Sequence, residues 1–414
     1  MYDVIVVGAR CAGSPTAMLL ARNGHRVLLL DKASFPSRTL STHMISVAGS
    51  AQLRRWGLLE RIEATNCPPV KRIVLDVSFE LFGAFTLVGF PPPVDDGFAA
   101  IYAPKRFFLD KILADAAVEA GAELRENFIV EEVLMDGEQV TGIRGHGPDG
   151  KTVIEHARLV IGADGMRSIV ARSVDAPMYN TAPSGTCGYY TYWSGVPIDS
   201  LEFYTRPYRT IVAFPTNDQQ AAIFVEWTHG EFQDFKANLE ENFLATLDVI
   251  APDLGRRARN GKRVDRFMGS ADLPNFFRKP YGPGWALVGD AGFHKDPITA
   301  QGITDAFRDA ELLANAVHAG LSDKLPLDEA LKGYEQQRNQ IITPLYEFIC
   351  DRATLEPFPI EFQQVLAALR GNQEAINRFF GVIQNTIPFR EFFSSENLLQ
   401  ILGAGSLTET TAAH

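Results

Sequence analysis

Residues 3–7, Asp-Val-Ile-Val-Val, run directly into Gly8-Ala9-Arg10-Cys11-Ala12-Gly13, and no other stretch restricts the fold of the chain as tightly. A short run rich in β-branched residues reads as a parallel strand buried on both faces. Ser14–Asn23 then reads as a helix with Ala17, Leu20 and Ala21 along one face, stopped by Gly24. Val27–Leu30 is a second strand, ending at Asp31. In the dinucleotide fingerprint G-x-G-x-x-G the three glycines serve a tight turn, close approach to a pyrophosphate, and close helix–sheet packing. Here Gly8 and Gly13 are kept and Arg10 takes the middle place, where its guanidinium can face phosphates or lie along a cofactor. Asp31 stands where a carboxylate accepts from both hydroxyls of a ribose, which favours FAD or NAD over NADP.

Two later segments extend this pattern. Leu159–Arg172 reads as a buried strand that ends at Asp164-Gly165, with a helix starting near Ser168. Trp285–Ala291 is another strand followed by Gly289-Asp290, then Asp296-Pro297-Ile298-Thr299-Ala300-Gln301-Gly302 and a helix expected over Ala300–Ala319. Between them, helices are expected over Ser46–Glu60 and Lys105–Gly121. Residues 71–90 and 127–161 read as strands, and residues 185–230 as an aromatic β region with a hairpin at Thr216-Asn217-Asp218. The last eighty or so residues read as mostly helical and rich in phenylalanine, with a polar, frayed tail at Thr408–His414.

The three marks together, in this order, resemble the para-hydroxybenzoate hydroxylase superfamily of class A FAD-dependent monooxygenases. That family has an N-terminal glycine fingerprint, a D-G motif, and a G-D motif ahead of P-x-x-G-Q-G. The resemblance covers roughly residues 1–345. It implies an α/β protein: a Rossmann-like FAD-binding domain, a β-sheet substrate domain of α+β type, and a helical C-terminal cap. The expected pieces are 1–75, 98–175 and 265–345 for FAD, 76–97 and 176–264 for substrate, and 346–414 for the cap. The resemblance implies that Asp290 of Gly289-Asp290 holds the ribityl chain or ribose of FAD. It places Asp164, Gly165 and Arg172 near the pyrophosphate, Arg106 at a helix start that contacts FAD, and Arg38 in a loop near FAD or the nicotinamide. Pro297, Gln301 and Gly302 open a helix whose N-terminus can stabilise the negative pyrimidine edge of reduced flavin without an ionisable side chain. Two places depart from the family pattern: Phe293 stands where a histidine is frequent, and Ala300 replaces the first glycine of P-x-x-G-Q-G.

The implied reaction takes NADH or NADPH and O2 and oxidises a small aromatic, phenolic or polycyclic substrate through a flavin C(4a)-hydroperoxide. The cofactor carries that chemistry, so no catalytic triad is expected. His43 and His294 are the candidate proton acceptors, because each lies near an expected flavin loop and histidine titrates near neutral pH. Tyr190 and Tyr192 share one face of a strand and, with Phe214, are expected to line the substrate pocket; Tyr189 and Trp193 share the opposite face. An FAD-dependent reductase of the geranylgeranyl-reductase type is the leading alternative, kept open by the apolar C-terminal region. A flavin halogenase is weaker, because no W-x-W-x-I-P stretch occurs. A binding module without flavin is the remaining reading, supported only by Arg10.

A formal net charge of -11 argues against nucleic acid as a partner. No apolar run reaches the length of a membrane span. The first residues do not form a signal peptide, so a cytoplasmic protein is expected, as monomer or homodimer. Cys11, Cys67, Cys187 and Cys350 are too scattered for a zinc site or a disulfide framework, and no metal is expected.

Overall fold

A computed structural model describes the backbone of residues 1–411 and the side chains of residues 1–403. The strand Tyr2–Val7 lies at the centre of a parallel sheet. Val27–Leu30 and Glu123–Arg125 follow on one side of it, and Thr152–Gly162 and Trp285–Leu287 on the other. The continuous apolar run of the first strand has a direct cause. Val4 and Val6 pack towards the helices that contain Ala17, Leu113 and Leu313. Ile5 and Val7 pack towards Phe128 and towards Val133 and Ile143 of an antiparallel meander formed by Ile129–Asp136, Gln139–His146 and the first half of Thr152–Gly162. Neither face meets water, so alternation would have been unfavourable.

A second sheet runs in the order Lys262–Arg263, Thr186–Ser194, Gln220–Thr228, Arg209–Thr216, Ser200–Arg206, Arg72–Phe79, Gly83–Gly89. Its neighbours are antiparallel except for Ser200–Arg206 against Arg72–Phe79, which run parallel. That one parallel pairing draws an early hairpin into a sheet otherwise made more than a hundred residues later. The expected turn at Thr216-Asn217-Asp218 joins Arg209–Thr216 to Gln220–Thr228. One face of this sheet, with Tyr189, Trp193, Ile223 and Trp227, packs on Phe235, Phe243 and Leu247 of the helices that follow it. The other, with Tyr190, Tyr192, Phe214 and Phe224, packs on Phe379, Phe380 and Phe392 of the C-terminal helices.

Helix boundaries move in two places. The helix expected over Ser46–Glu60 is two helices, Val47–Arg55 and Leu59–Glu63, because Gly57 takes a φ of 78° and breaks the run. The long helix begins at Gly302 rather than Ala300 and ends at Leu321, because Ala300 adopts a left-handed φ of 53°. This is the place where the family has glycine, and the backbone conformation explains that preference. The C-terminal region is helical: Leu327–Arg352, Ile360–Ala368, Gln373–Ile383, Phe389–Phe392 and Ser395–Thr411. The expected frayed tail overlaps this last helix as far as Thr411, and the rest of it lies outside the described residues. Among the described residues no helix is long and apolar enough to cross a membrane.

Candidate active site

A cavity of about 740 Å³ opens beyond the carboxyl ends of the parallel strands, bounded on its far side by the second sheet. A crevice at this edge is where open α/β sheets bind ligands, since the strand ends and helix starts leave backbone groups free there. Gly8, Asp31, Asp164 and Gly289 line it, each just past the end of a parallel strand.

The glycine loop shows why two glycines are kept. Gly8 has φ 105°, and a Cβ there would stand 2.4 Å from the carbonyl oxygen of Ala163. A Cβ on Gly13 would stand 1.8 Å from the carbonyl oxygen of Gly8, so only glycine lets the helix start fold back over the turn. Asp31 accepts from the backbone N–H of Ala9 through Oδ2 and of Ala33 through Oδ1, both at 2.8 Å. Each oxygen keeps a lone pair for a further donor.

Arg10 does not stand free over the loop. Its Nη1 lies 2.5 Å from Oδ2 of Asp110, Nη2 donates to Ser37 Oγ at 3.0 Å, and the guanidinium covers the Phe35 ring at 5.5 Å. Arg106, at the start of the helix Arg106–Glu119, donates from Nε to the other oxygen of Asp110 at 2.8 Å. Burial works against the Arg106 charge, but Asp110 more than offsets it and holds the proton tightly. Arg10 and Arg106 both line the cavity. Arg38 does not. It pairs with Asp265 at 2.9 Å and is 61% exposed, because its loop turns the side chain out to the second sheet's edge.

At the second motif, Asp164 Oδ2 accepts from Ile169 N at 2.6 Å while the buried Oδ1 has no partner. Burial raises the pKa of this carboxyl. Gly165 takes φ 82°, Ser168 caps the helix Ile169–Ser173 through Ala171 N, and Arg172 reaches the cavity wall from that helix. At the third motif Gly289 has φ 60° and its Cβ would meet that of Ala12 at 2.7 Å, which brings the loop against the first helix. Asp290 is exposed along the cavity. Pro297–Thr299 form a single 3-10 turn, Gln301 stands at the N-cap position of the long helix, and a Cβ on Gly302 would meet nothing within 4 Å. The helix start thus opens towards the cavity with unpaired backbone N–H groups.

These features fit an FAD: a glycine cradle closed to any side chain, an orphaned buried carboxyl oxygen beside it, and an open helix N-terminus at the far end. Residues 1–348 match the profile of the family described as FAD binding domain. The chain belongs to that family, the family of the class A flavin monooxygenases. It is an FAD-dependent oxidoreductase by that membership. Digeranylgeranylglycerophospholipid reductase 2 of Methanothermobacter thermautotrophicus is 28% identical over 340 residues, covering 78% of this chain and 80% of the relative. The flavin-dependent brominase Bmp2 shares the fold with a TM-score of 0.80 at 19% identity, over 99% of both chains. PqsL of Pseudomonas aeruginosa, a probable FAD-dependent monooxygenase, shares it with a TM-score of 0.70 at 22% identity, over 92% of this chain and 99% of that one.

The aromatic residues expected to line a substrate pocket fall into two groups. Tyr190 lines the cavity together with Phe224, and their rings stack 4.5 Å apart at 20°. Tyr192 and Phe214 are buried one layer behind, in the cluster shared with the C-terminal helices. Tyr192 meets His43 there, with its hydroxyl 2.7 Å from Nε2. His43 is 1% exposed and does not line the cavity. Burial, then the charges of Arg106 and Lys105, push its pKa down to about 3, so at neutral pH it is a neutral packing residue. His294 does line the cavity, and its Nδ1 lies 2.5 Å from the carbonyl oxygen of Pro274. That contact fixes the proton on Nδ1 and leaves Nε2 as an acceptor.

Two groups of residues carry charge here that the motifs alone did not single out. Lys295 pairs with Asp305, and Arg308 joins Asp305 to Asp309 at 2.7 Å each, beneath the start of the long helix. The i, i+3, i+4 spacing of Asp305, Arg308 and Asp309 on a buried helix face is their signal in the sequence. Glu226 and Asp296 are both buried in the cavity wall. Glu226 is the lone acid within the apolar strand Ala221–Trp227, an anomaly legible in the sequence. The four cysteines are free, and burial raises the pKa of each, so none is a ready nucleophile.

Proposed function

We propose that the protein is an FAD-dependent monooxygenase that takes electrons from NADH or NADPH and oxidises a small aromatic substrate with O2. The observation that carries this reading is the stacked aromatic pair of Tyr190 and Phe224, in the same cavity as the glycine loop and the Gly302 helix start. A planar ring that extends this stack or meets its edges gains aromatic contacts, and an aliphatic chain does not. Bound FAD supplies the redox chemistry, moving two electrons from the nicotinamide to dioxygen.

The chain's own residues bind, orient and exclude water. Gly8, Gly13 and Asp31 hold the adenosine half, with Asp31 accepting from the ribose. Arg10 and Arg106, tied by Asp110, present positive charge to the pyrophosphate, and Asp164, Gly165 and Arg172 close over it. Gly289 and Asp290 hold the ribityl chain. Pro297, Gln301 and Gly302 direct backbone N–H groups at the pyrimidine edge of the ring, where reduction places negative charge. His294, with its acceptor nitrogen free, takes a substrate hydroxyl proton. PqsL has been seen in complex with 2-aminobenzoylacetate, a small aromatic ligand, on the same fold.

A second reading has its own observation. An apolar cavity of about 270 Å³ lies between the second sheet and the C-terminal helices, walled by Phe203, Phe348, Phe362, Phe379 and Phe393. Gln301 lines both cavities, so an apolar chain passing that residue would reach the flavin side. This suits a reductase of unsaturated lipid-like chains, as in the methanogen relative. Reduction of the flavoprotein under anaerobic conditions, followed by mixing with ¹⁸O-labelled dioxygen and a panel of phenols and isoprenoids, separates the two. Labelled oxygen in an aromatic product supports the monooxygenase; anaerobic saturation of an isoprenoid with no need of oxygen supports the reductase.

A further inference from the structure

Glu226 projects from the cavity face of the strand Gln220–Thr228, two residues after Phe224, so the two share one face. Opposite Phe224 in the antiparallel register stands Tyr190, and opposite Glu226 stands Gly188. A Cβ on Gly188 would lie 3.1 Å from Glu226 Cγ, so the missing side chain gives the carboxyl its room. The aromatic wall therefore ends at a carboxyl group. Glu226 Oε2 is fully buried and has no hydrogen-bond partner.

The second carboxyl of this corner is Asp296, on the loop before Pro297. Its oxygens are already used: Oδ2 accepts from Thr186 Oγ1 at 2.7 Å and Thr186 N at 3.3 Å, and Oδ1 from Ile298 N at 3.2 Å. Asn275 Oδ1 fixes the loop by accepting from Asp296 N at 2.6 Å. Burial raises both carboxyls. The bonds from Thr186 and Ile298 pull Asp296 back towards ionisation, whereas the Asp296 charge pushes Glu226 further up. Also near the pair are the thiols of Cys187 and Cys350, which burial keeps protonated, Lys295, which is paired with Asp305, and Glu231 and Arg209, which pair with each other. Two carboxyls in one dry corner do not both ionise, and the one with hydrogen bonds to its charged form keeps the charge. Among the described residues no group of three metal-ligating side chains forms here, so the pair is not part of such a metal site.

We propose that Glu226, with its orphaned buried oxygen on the cavity face, stays protonated at neutral pH and forms a subsite donating a hydrogen bond to a carbonyl-type acceptor oxygen of the substrate. This rests on the reading that substrate lies against the Tyr190–Phe224 wall. Asp296 acts as a positioning residue through the charge it places beside Glu226. The subsite favours ligands with a ketone, aldehyde, amide or quinone oxygen over those ending in a methyl group. An unmatched buried donor is costly, which turns the preference into selectivity.

The test uses the FAD-loaded full chain with Glu226→Gln, which keeps a donor, and Glu226→Ala, which removes it. Infrared difference spectra across pH are expected to show a protonated carboxyl at neutral pH that is lost on raising the pH and absent in Glu226→Gln. Absence of that band in the unsubstituted protein, or its persistence in Glu226→Gln, overturns the protonated Glu226. Flavin absorbance then follows binding of two probe pairs, 4-hydroxyacetophenone against 4-ethylphenol and 2-octanone against octane. A preference for the ketone of about tenfold, kept in Glu226→Gln and lost in Glu226→Ala, supports the subsite. If only the aliphatic pair shows it, the subsite stands and the aromatic reading falls. No preference in either pair, or no binding of any probe, overturns the subsite whatever the infrared result.

Discussion

Arg106 donates from Nε to the wholly buried carboxylate of Asp110 at 2.8 Å, one turn further along the same helix. The other oxygen of that carboxylate holds Arg10, so one acid ties two arginines together at the mouth of the glycine loop and leaves net positive charge there. Removing it leaves buried positive charge without a partner, which is the expensive half of a buried ion pair. Asp110→Ala is expected to lose about 3–5 kcal/mol in denaturant unfolding. Asp110→Asn is expected to lose less and to release FAD more readily. An Asp110→Ala protein with unchanged stability would show that the arginines find other partners.

Gln301 stands at the N-cap position of the long helix, and its side chain donates from Nε2 to the carbonyl of Ile383 at 2.9 Å and to Asn385 Oδ1 at 2.8 Å. It therefore ties the candidate flavin site to the C-terminal helices. Gln301→Ala is expected to destabilise by about 1–3 kcal/mol, as a buried carbonyl loses its donor. Hydrogen exchange should rise around 383–387 while the first sheet keeps its protection. Equal loosening of both regions would argue that the tie is not local.

His43 gives a pH signature with a definite sign. Its folded pKa is lowered from 6.5 to about 3, so between those values the unfolded chain binds a proton that the folded chain does not. Its contribution to stability is fully present above 6.5 and is lost as pH falls towards 3, by up to ~1.4 kcal/mol per pH unit. In His43→Gln that part of the slope should vanish. Unfolding midpoints measured from pH 7 to pH 4 decide the matter, and an identical slope in both proteins would mean that His43 is not the titrating group.

Gly302 separates stability from cofactor binding. A methyl group there meets no protein atom, and alanine suits a helix better than glycine by up to ~1 kcal/mol. Gly302→Ala is expected to leave the melting temperature of the apoprotein unchanged or raised, and to weaken FAD, because the methyl group enters the space at the helix start. Equal FAD affinity in both proteins would move the isoalloxazine away from this residue.

Much of this molecule is written locally. Gly8, Asp31, Asp164 and Asp290 were legible as cavity-lining positions because each sits just past the end of a strand whose apolar run is continuous, and a backbone turn there needs particular residues whatever surrounds it. The hairpin at 217–219 and the helix over Arg106–Glu119 were legible for the same reason, since their determinants lie within a few residues. What the sequence alone determined is therefore the FAD half of the protein and its order of elements. Only the tertiary structure decided which aromatic residues face the cavity. Tyr190 and Tyr192 share a strand face, yet Tyr192 is buried against His43 and Lys105 while Tyr190 reaches the cavity. The same burial made His43 a neutral packing residue and gave Glu226 its neighbour Asp296, 70 positions away in the chain. Exposure and charge state depend on what packs from a distance, and periodicity along a strand carries no record of that.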